Sequence, residues 1–450
     1  MMQLAEHPTV KRFYELEAAS TEPPRPAKLD PSWLRQLCLE AGADDAGFVE
    51  MERPEIADQR EDILAAFPRA KTLVSFVCRM NRENIRTPAR SIANLEFHHT
   101  GDEVNEVARK IVAALDREGV RAMNGGSMGF PMEMDRFPGK LWVVSHKPVA
   151  VAAGLGAMGI HRNIIHPQFG NFILLGTVVM DAEVQAAEYS RPVDYNPCLE
   201  CKLCVAACPV GAISSDGQFN FSACYTHNYR EFMGGFTDWV ENIADSKNAR
   251  DYRAKVSDPE TVSMWQSLSF GANYKAAYCL SVCPAGDDVI APFLTDRKQY
   301  LQEVVRPLQA KEETVYVVPG SDAEAYVPRR FPHKKIKQVG NGLRPRTIRG
   351  FLSGLRLVFE RNQSEGLNAT YHFTFTGEEE HKATVTIRNK RLQVADGHEG
   401  SPDLRVTADS RTWLRFLAKE ENIVWALLRR KIRLRGSPRL LLAFGRCFPS

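Results

Sequence analysis

Seven of the ten cysteines in this 450-residue chain fall in two short blocks and at one position between them. They are Cys198, Cys201, Cys204 and Cys208 in the first block, Cys279 and Cys283 in the second, and Cys224 between the blocks. The first block and its following proline give C-x₂-C-x₂-C-x₃-C-P. With this spacing, three thiolates bind one [4Fe–4S] cube and the fourth binds a second cube. The sequence therefore predicts iron–sulfur clusters and a role in electron transfer.

Other uses of these cysteines fit the spacing less well. A zinc ribbon needs paired C-x₂-C knuckles, and a disulfide framework needs an oxidising compartment. The cysteines outside the blocks, Cys38, Cys78 and Cys447, are expected to pack as small hydrophobic side chains. Because thiols that bind iron favour a reducing compartment, we expect a cytoplasmic protein.

Composition and charge are those of an ordinary globular protein, with 44% apolar and 25% charged residues. The net charge of +3 is too small to imply a nucleic-acid partner, and we interpret the basic runs at 329–337 and 429–435 as solvated faces or linkers. The first twenty residues lack the apolar core of a signal peptide. The longest apolar stretch, 149–160, is too short to cross a bilayer. We therefore expect no transmembrane segment and no nucleic-acid partner.

Local patterns divide the chain into five segments. These are an N-terminal arm (1–30), an α/β core (31–182), a ferredoxin-like iron–sulfur domain (183–300) with a helical insertion (225–278), a proline-rich linker (301–345) and a C-terminal α+β domain (346–450). In the core, a capping box at Thr100 and Glu103 predicts the start of a helix that Gly119 closes. Strands are expected at 46–50, 71–78, 141–145 and 172–180. The Met- and Gly-rich stretch 123–137 is either a cofactor wall or a surface loop.

A second group of motifs precedes the cysteines. Residues 153–170 read Ala-Gly-Leu-Gly-Ala-Met-Gly-Ile-His-Arg-Asn-Ile-Ile-His-Pro-Gln-Phe-Gly, and residues 172–181 read Phe-Ile-Leu-Leu-Gly-Thr-Val-Val-Met-Asp. This pattern resembles the A-G-L-G-x-x-G…(Y/F)-G…L-G-x₄-D segment of the epoxyqueuosine reductase and reductive dehalogenase superfamily. The helix–Gly–strand signature at 40–48 and the segment 67–75 match as well, so that the resemblance covers residues 30–300.

The resemblance implies a nitroreductase-like core that binds base-off cobalamin, and two [4Fe–4S] clusters that deliver electrons to the cobalt. The residues that it implies in cobalamin binding are Lys147, Gly154, Leu155, Gly156, Gly159, His161, Asn163 and Gly170.

Carried onto this sequence, the family pattern also implies the cluster ligands. The first cluster would take Cys198, Cys201, Cys204 and Cys283, and the second would take Cys208, Cys224 and Cys279. The family has a further cysteine where Ala276 stands here. Three alternatives follow for the second site: a [3Fe–4S] centre, a cube completed by another ligand or water, or no cluster at all.

The proton donor is a second departure from the family. Epoxyqueuosine reductases place an aspartate where Lys140 stands, about thirteen residues before the A-G-L-G alanine, and respiratory dehalogenases use a tyrosine that has no assigned counterpart here. Asp135, Lys140 and His146 are the nearby candidates, and each of them is equally compatible with a structural role.

The last hundred residues resemble the sterol carrier protein-2 (SCP2) lipid-transfer domain, through the segments 373–377, 402–409, 413–416 and 431–436. The resemblance implies an apolar tunnel, although the same side chains would serve in a packed core. The candidate lining residues are Phe373, Phe375, Val385, Ile387, Trp413, Phe416 and Leu441. Epoxyqueuosine reductases carry helical repeats here that help to bind tRNA. Their absence argues against a tRNA substrate.

Together these features predict a cobalamin-dependent reductase that takes electrons from a ferredoxin or flavodoxin. It would remove a halide or a hydroxyl or epoxide oxygen from a small, hydrophobic organic substrate. The alternative is a cobalamin-free iron–sulfur electron-transfer protein, in which the C-terminal domain serves for docking.

Overall fold

The computed structural model describes residues 4–19, 28–126, 143–185 and 189–450, and its fold is mixed α/β. The first part of the chain contains, in order, α1 (Pro8–Ala19), β1 (Lys28–Leu29), α2 (Pro31–Ala41), β2 (Asp45–Glu50), α3 (Arg60–Ala66), β3 (Thr72–Arg79), α4 (Arg82–Arg86), α5 (Arg90–Arg117), β4 (Ala122–Asn124), α6 (His146–Ala152), β5 (Ala157–Met158), β6 (Ile164–Ile165), β7 (Ile173–Met180) and β8 (Glu183–Val184). Its main sheet is antiparallel, with the strand order β2-β3-β7-β4.

Helices cover both faces of this sheet, as the continuous apolar run at 71–78 predicts. Val74 and Phe76 of β3 pack towards α2 and α5, whereas Leu73 and Val77 pack towards Val149 of α6. The strands expected at 46–50 and 172–180 are confirmed, and α2 ends at Gly42, as the helix–Gly–strand signature at 40–48 implies.

Two local expectations in the core are wrong. The helix expected to begin at Thr100 begins at Arg90, and Thr100 lies buried inside it, where its hydroxyl donates to the Glu96 carboxylate at 3.2 Å. The additional turns are held by a contact that is distant in sequence, since the backbone N–H of Tyr274 donates to Asn94 at 3.1 Å. Residues 143–145 form no strand, and the rest of the expected strand, at 141–142, lies outside the described residues.

A second unit carries the cysteines. Its elements are α7 (Leu203–Ala207), α8 (Phe221–Asn228), α9 (Gly234–Ala244), α10 (Ala249–Lys255), α11 (Asp258–Phe270), α12 (Tyr278–Ser281), α13 (Ala291–Thr295), α14 (Arg297–Tyr300), α15 (Arg306–Ala310), β9 (Thr314–Val317), α16 (Asp322–Arg330) and β10 (Lys335–Gln338). A π-helical turn, Leu301–Val305, joins α14 to α15. The expected insertion is helical through α9, α10 and α11.

The linker expected at 301–345 is instead part of this unit. Strands β9 and β10 pair in parallel across α16, and Val315 and Val327 lie in the same apolar core as Cys204 and Cys208. The buried ammonium group of Lys334 pairs with the Glu313 carboxylate at 2.7 Å. Pro307 does not prevent this folding, because it occupies the first turn of α15, where its missing N–H has no helical partner to lose.

The C-terminal unit comprises α17 (Ile348–Val358), β11 (Ala369–Thr376), β12 (His381–Arg388), β13 (Arg391–Asp396), β14 (Leu404–Asp409), α18 (Ser410–Leu417), α19 (Ile423–Leu428), β15 (Ile432–Gly436) and α20 (Pro438–Arg446). Its sheet has the order β13-β12-β11-β14-β15, and the pair β11–β14 is parallel. The strict alternation of apolar and polar residues at 371–376 and 383–387 predicts two strands, which are β11 and β12, whereas no sequence pattern was interpreted as β15.

The residues proposed to line a tunnel lie mostly in the packed core of this unit. Trp413 is buried and stands edge-on to Phe373 and Phe375, with ring centroids 5.7 and 5.9 Å away. Val385 and Ile387 are buried in the same cluster, whereas Leu441 is partly exposed.

A buried carboxylate joins the C-terminal unit to the cysteine unit. The side chain of Glu360 accepts hydrogen bonds from the Asn220 amide at 2.8 Å and from the backbone N–H of Asp322 at 2.9 Å. At the rim of the same contact, Arg361 pairs with Asp216 at 2.6 Å. Because Asn220 caps the helix that carries Cys224, the contact connects the C-terminal unit to a cysteine-bearing element. Among the described residues, no helix is both long and apolar enough to cross a bilayer.

Candidate iron–sulfur centre

The first cysteine block is a loop that turns back on itself before a short helix. Glu200 and Lys202 have left-handed backbone angles, with φ of 51° and 62°. Such angles reverse the direction of the chain within a few residues. Helix α7 then carries Cys204, and the backbone N–H of Cys208 donates to the carbonyl of Cys204 at 3.2 Å. Cys208 therefore lies one turn beyond Cys204, as the three-residue gap predicts.

Four thiols from both blocks line one small concavity that is open to solvent: Cys198, Cys201, Cys204 and Cys283. Ile160 and His161 also border it, and they bring the A-G-L-G segment to the same place. The concavity thus collects the four cysteines that the family resemblance implies for the first cluster.

The other three thiols lie on helices: Cys208 directly follows α7, Cys224 lies within α8, and Cys279 lies in the first turn of α12. Burial and the neighbouring Cys208 and Cys279 raise the pKa of the Cys224 thiol. Burial and Cys208 likewise raise the pKa of Cys279, to about 12. These effects place Cys208 and Cys279 close to Cys224, and Cys279 also lies close to Cys204 of the first set.

Ala276 stands where the family has its eighth cysteine, and its backbone is held by a hydrogen bond. Ala276 is buried, and its N–H donates to the side-chain oxygen of Asn228 at 2.9 Å. The next residue, Ala277, has a left-handed φ of 56° and precedes α12. The turn that presents Cys279 is therefore formed without a thiol at position 276.

The chemistry of the thiols fits iron–sulfur clusters. Burial raises the pKa of Cys283 to about 12, so that the thiolate form requires a cation nearby. Iron supplies that charge, and metal binding displaces the protons of its thiol ligands. Nowhere in the described part of the chain do three His, Cys, Asp or Glu side chains converge on a single ion. A [4Fe–4S] cube does not require side chains that converge on one ion, because each of its thiolate ligands binds a different iron atom.

Most glycines of the A-G-L-G segment are required by chain packing. A Cβ atom at Gly154, Gly156 or Gly170 would lie 2.1–2.3 Å from the backbone carbonyl oxygen of Arg191, Ile165 or Ala285, respectively. Each of the three glycines also has a positive φ. A Cβ at Gly159 would meet the His161 ring, and Leu155 is buried in the core of the first unit. These positions therefore fix the path of the segment against the neighbouring backbone.

Two polar side chains, Lys147 and Asn163, instead lie beside the second set of cysteines. The Lys147 ammonium group donates to the carbonyl of Arg162 at 2.7 Å and to the side-chain oxygen of Asn163 at 3.2 Å. The Asn163 amide nitrogen lies 3.9 Å from the Cys279 sulfur. Burial lowers the pKa of Lys147, while Cys279 and Cys224 act in the opposite direction. Lys147 and Asn163 are therefore placed to contact whatever the second set binds.

His161 is linked to the same side chains. Its Nδ1 accepts a hydrogen bond from the backbone N–H of Asn163 at 3.1 Å. Burial, with a smaller effect of the Lys147 charge, lowers the pKa of His161 to about 4. A neutral imidazole therefore lies at the border of the concavity.

Of the candidate proton donors, Asp135 and Lys140 lie outside the described residues. Both ring nitrogens of His146 have partners: Nε2 lies 3.2 Å from the carbonyl oxygen of Gly126, and Nδ1 lies 2.8 Å from the hydroxyl of Thr177. Since a carbonyl only accepts, Nε2 carries the proton and Nδ1 accepts. Burial lowers the pKa of His146 to about 4, which keeps the ring neutral near pH 7. This geometry favours a structural role for His146.

Sequence reasoning missed three residues around the cysteines. The Tyr326 ring packs on Gly211 near Cys208, Asn228 holds the turn at Ala276, and Asn220 caps the helix of Cys224. An Asn just before a helix is a recognisable capping signal. Tyr326 lies in the stretch expected to be a linker, and no local signal pointed to it.

Comparison with known proteins finds different families for different parts of the chain. Residues 191–214 match the 4Fe-4S binding domain family, and residues 358–449 match the SCP-2 sterol transfer family. An epoxyqueuosine reductase from Cellulophaga algicola is 30% identical over 234 residues, which are 46% of this chain and 72% of the relative. The chain belongs to the epoxyqueuosine reductase family. It spans about half or less of the length of other curated relatives with that name.

Two solved structures are similar over part of the fold. A catabolic reductive dehalogenase aligns with a TM-score of 0.32 and 20% identity, over 40% of this chain and 25% of its own. An epoxyqueuosine reductase with an epoxyqueuosine-modified tRNA stem loop aligns with a TM-score of 0.36 and 16% identity, over 62% of this chain and 78% of its own.

Proposed function

We propose that the protein is an iron–sulfur reductase in which two clusters relay electrons to an organic substrate. The observation that carries the proposal is that four of the seven cysteines line one concavity, while Cys208 and Cys279 lie close to Cys224. Membership of the epoxyqueuosine reductase family and the 4Fe-4S binding domain match support the same function.

The first set would bind a [4Fe–4S] cube, and the second set would bind either a [3Fe–4S] centre or a cube with a non-cysteine ligand. Cys208 and Cys204 lie one helical turn apart, so that the two centres would be close neighbours along α7. Electrons from a ferredoxin or flavodoxin would enter through the solvent-open first centre and pass to the second.

We propose cobalamin as the third cofactor, beside the second set of cysteines. When bound, it supplies low-valent cobalt that can displace a leaving group such as halide or an epoxide oxygen. Lys147, Asn163 and His161 would contact it, because they form one hydrogen-bonded group against Cys279. The glycines would act indirectly, since protein carbonyls fill the space beside Gly154, Gly156 and Gly170.

The proton for the leaving group would come from Asp135 or Lys140 rather than from His146. Both nitrogens of the neutral His146 ring form hydrogen bonds. Its single N–H is donated to the Gly126 carbonyl, and the ring carries no second proton at pH 7. It would instead fix Thr177 of the central strand β7 against Gly126.

Reconstitution tests this function against the rival electron-transfer protein. Anaerobic protein is loaded with iron, sulfide and hydroxocobalamin, freed of unbound corrinoid and reduced. A cobalt(II) electron paramagnetic resonance signal that disappears on further reduction is expected, followed by turnover of halogenated or epoxide substrates. Lys147→Gln should weaken retention of the corrinoid, and Lys71→Gln is a control at an exposed lysine. Clusters without any retained corrinoid would establish the electron-transfer alternative.

A tRNA substrate is the second candidate, which family membership favours. An assay on tRNA carrying epoxyqueuosine decides between the two classes. Turnover of the tRNA would overturn the expectation that the substrate is a small hydrophobic molecule.

A further inference from the structure

Helix α19 presents apolar side chains to solvent. Val424, Trp425 and Leu428 are 59%, 57% and 68% exposed, and we refer to them as the α19 stripe. Because residues three and four positions apart share a helix face, the three side chains form one continuous surface. Ala426, on the opposite face, is buried in the core of the C-terminal unit. The helix is thus anchored by one face and leaves an apolar face uncovered.

The chain around the stripe is strongly basic. Residues 422–450 contain no Asp or Glu, and their cations are Arg429, Arg430, Lys431, Arg433, Arg435, Arg439 and Arg446. The guanidinium group of Arg429 lies 6.0 Å from the centre of the Trp425 ring, at the end of the stripe. The cations therefore begin where the apolar surface ends.

Several of these cations have no protein counter-charge. Within the described parts of the chain, Arg429, Arg430, Arg433 and Arg435 form no ion pair or side-chain hydrogen bond. On the edge strand, Arg435 stands directly opposite Arg405 of β14. Like charges in facing positions of neighbouring strands destabilise a sheet. An external anionic partner would relieve this repulsion.

We propose that the α19 stripe and its flanking arginines bind the surface of an anionic lipid bilayer. Exposed Trp and Leu side chains beside Lys and Arg are the composition of elements that lie in a membrane interface. The apolar side chains would enter the acyl boundary, while the arginines would meet acidic headgroups. This role concerns attachment and is independent of the reaction proposed above.

Other occupants fit the surface less well. A second copy of the chain, docked through the same face, would bring one arginine cluster against another, because a twofold interface pairs a patch with itself. Nucleic acid could pair its phosphates with the arginines and stack a base on Trp425. Val424 and Leu428, however, have no polar group that could bind a phosphate or the edge of a base. The aliphatic part of the stripe favours lipid.

The test is flotation of the full-length protein with vesicles. Binding is expected to vesicles of phosphatidylcholine with phosphatidylserine, to be weak with phosphatidylcholine alone, and to fall as salt rises. The double variant W425S/L428S should lose on the order of tenfold in partition, and R429Q/R430Q a similar amount. The control W265S/L268S removes a matched pair on α11, where Trp265 and Leu268 are 56% and 58% exposed without flanking arginines, and it should bind as the wild type does.

A second measurement does not depend on how the serine variants fold. Anionic vesicles should shift the tryptophan emission of the wild type to the blue, and the conservative variant Trp425→Phe should abolish that shift while binding persists. The proposal is overturned if the wild type does not bind anionic vesicles, or if W265S/L268S weakens binding to them as much as W425S/L428S does. Retention of tRNA without vesicle binding would assign the surface to nucleic acid instead.

Discussion

At the residue scale, the two sets of cysteines lie in different surroundings, and single substitutions should separate them. Cys201→Ala removes a thiol from the concavity and should cost about four iron atoms, whereas Cys208→Ala should remove only the iron held by the second set. The measurement is iron and sulfide content, with electron paramagnetic resonance of the reduced protein.

Cys38→Ala serves as the matched control. Cys38 is buried in the core between α2 and the main sheet, and burial raises its pKa to about 12, as expected for an inert thiol. Its loss should leave the iron content unchanged. If Cys201→Ala and Cys208→Ala removed the same spectroscopic signal, the division into two sets would be contradicted.

The buried Glu360 should make the docking of the C-terminal unit depend on pH. Burial, with a smaller effect of Asp322, raises its pKa from 4.5 to about 7. Between these values the folded protein binds more protons than the unfolded chain, so that stability falls as pH rises from about 4.5 to 7. Above pH 7 the charged carboxylate costs up to about 3 kcal/mol. Glu360→Gln should therefore raise the melting temperature at pH 8 and have little effect at pH 5.

The control for this prediction is Glu365→Gln, at an exposed carboxylate in the same segment that pairs with Lys390 at the surface. It should leave the pH profile of the wild type unchanged. An equal stabilisation by Glu360→Gln at pH 5 and pH 8 would show that the carboxylate stays charged, or stays neutral, throughout.

At the element scale, the turn at Gly170 fixes the first unit against the second cysteine block. A Cβ there would lie 2.1 Å from the carbonyl oxygen of Ala285, two residues after Cys283, and φ is +65°. Gly170→Ala should therefore lower both the iron content and the melting temperature. Gly397→Ala has a comparable φ of +77° with nothing within 4 Å, and should cost only the ~1 kcal/mol of left-handed backbone. Equal effects of the two variants would contradict the packing role.

Elements whose signals are local could be predicted from the sequence. The strands at 46–50 and 172–180 and the helix closed by Gly42 follow from periodicity and capping. The start of α5 could not, because its first ten residues depend on contacts with residues near 273. Likewise, residues 301–345 were interpreted as a linker, because their short apolar runs form strands only when β9 and β10 pair with each other across α16.

The same distinction holds at the candidate site. The spacing within the first block predicted that Cys198, Cys201 and Cys204 would lie together, whereas the addition of Cys283 was implied only by the family resemblance. The roles of Asn228 and Tyr326 could not be predicted, since they depend on how distant segments pack. The glycines matched the family motif without revealing that the space beside them is filled by carbonyl oxygens.

At the scale of the whole molecule, the boundary of the iron–sulfur part should lie after residue 345. A truncation to 1–345 retains β10 and the Lys334–Glu313 pair, whereas a truncation to 1–330 removes both and opens the core that holds Cys204 and Cys208. The longer form should keep its iron, and the shorter form should lose it or fail to accumulate. Equal iron content in the two truncations would show that 331–345 is a linker after all.

The central claim is that one chain holds two iron–sulfur centres, and the iron and acid-labile sulfide content of the anaerobically reconstituted full-length protein tests it most directly. About eight iron atoms per chain would indicate two cubes, the second completed by a ligand other than cysteine, and about seven would indicate a [3Fe–4S] centre beside a cube. Either value agrees with the two sets of cysteines. A content that saturates at four or fewer iron atoms would contradict the two-centre account.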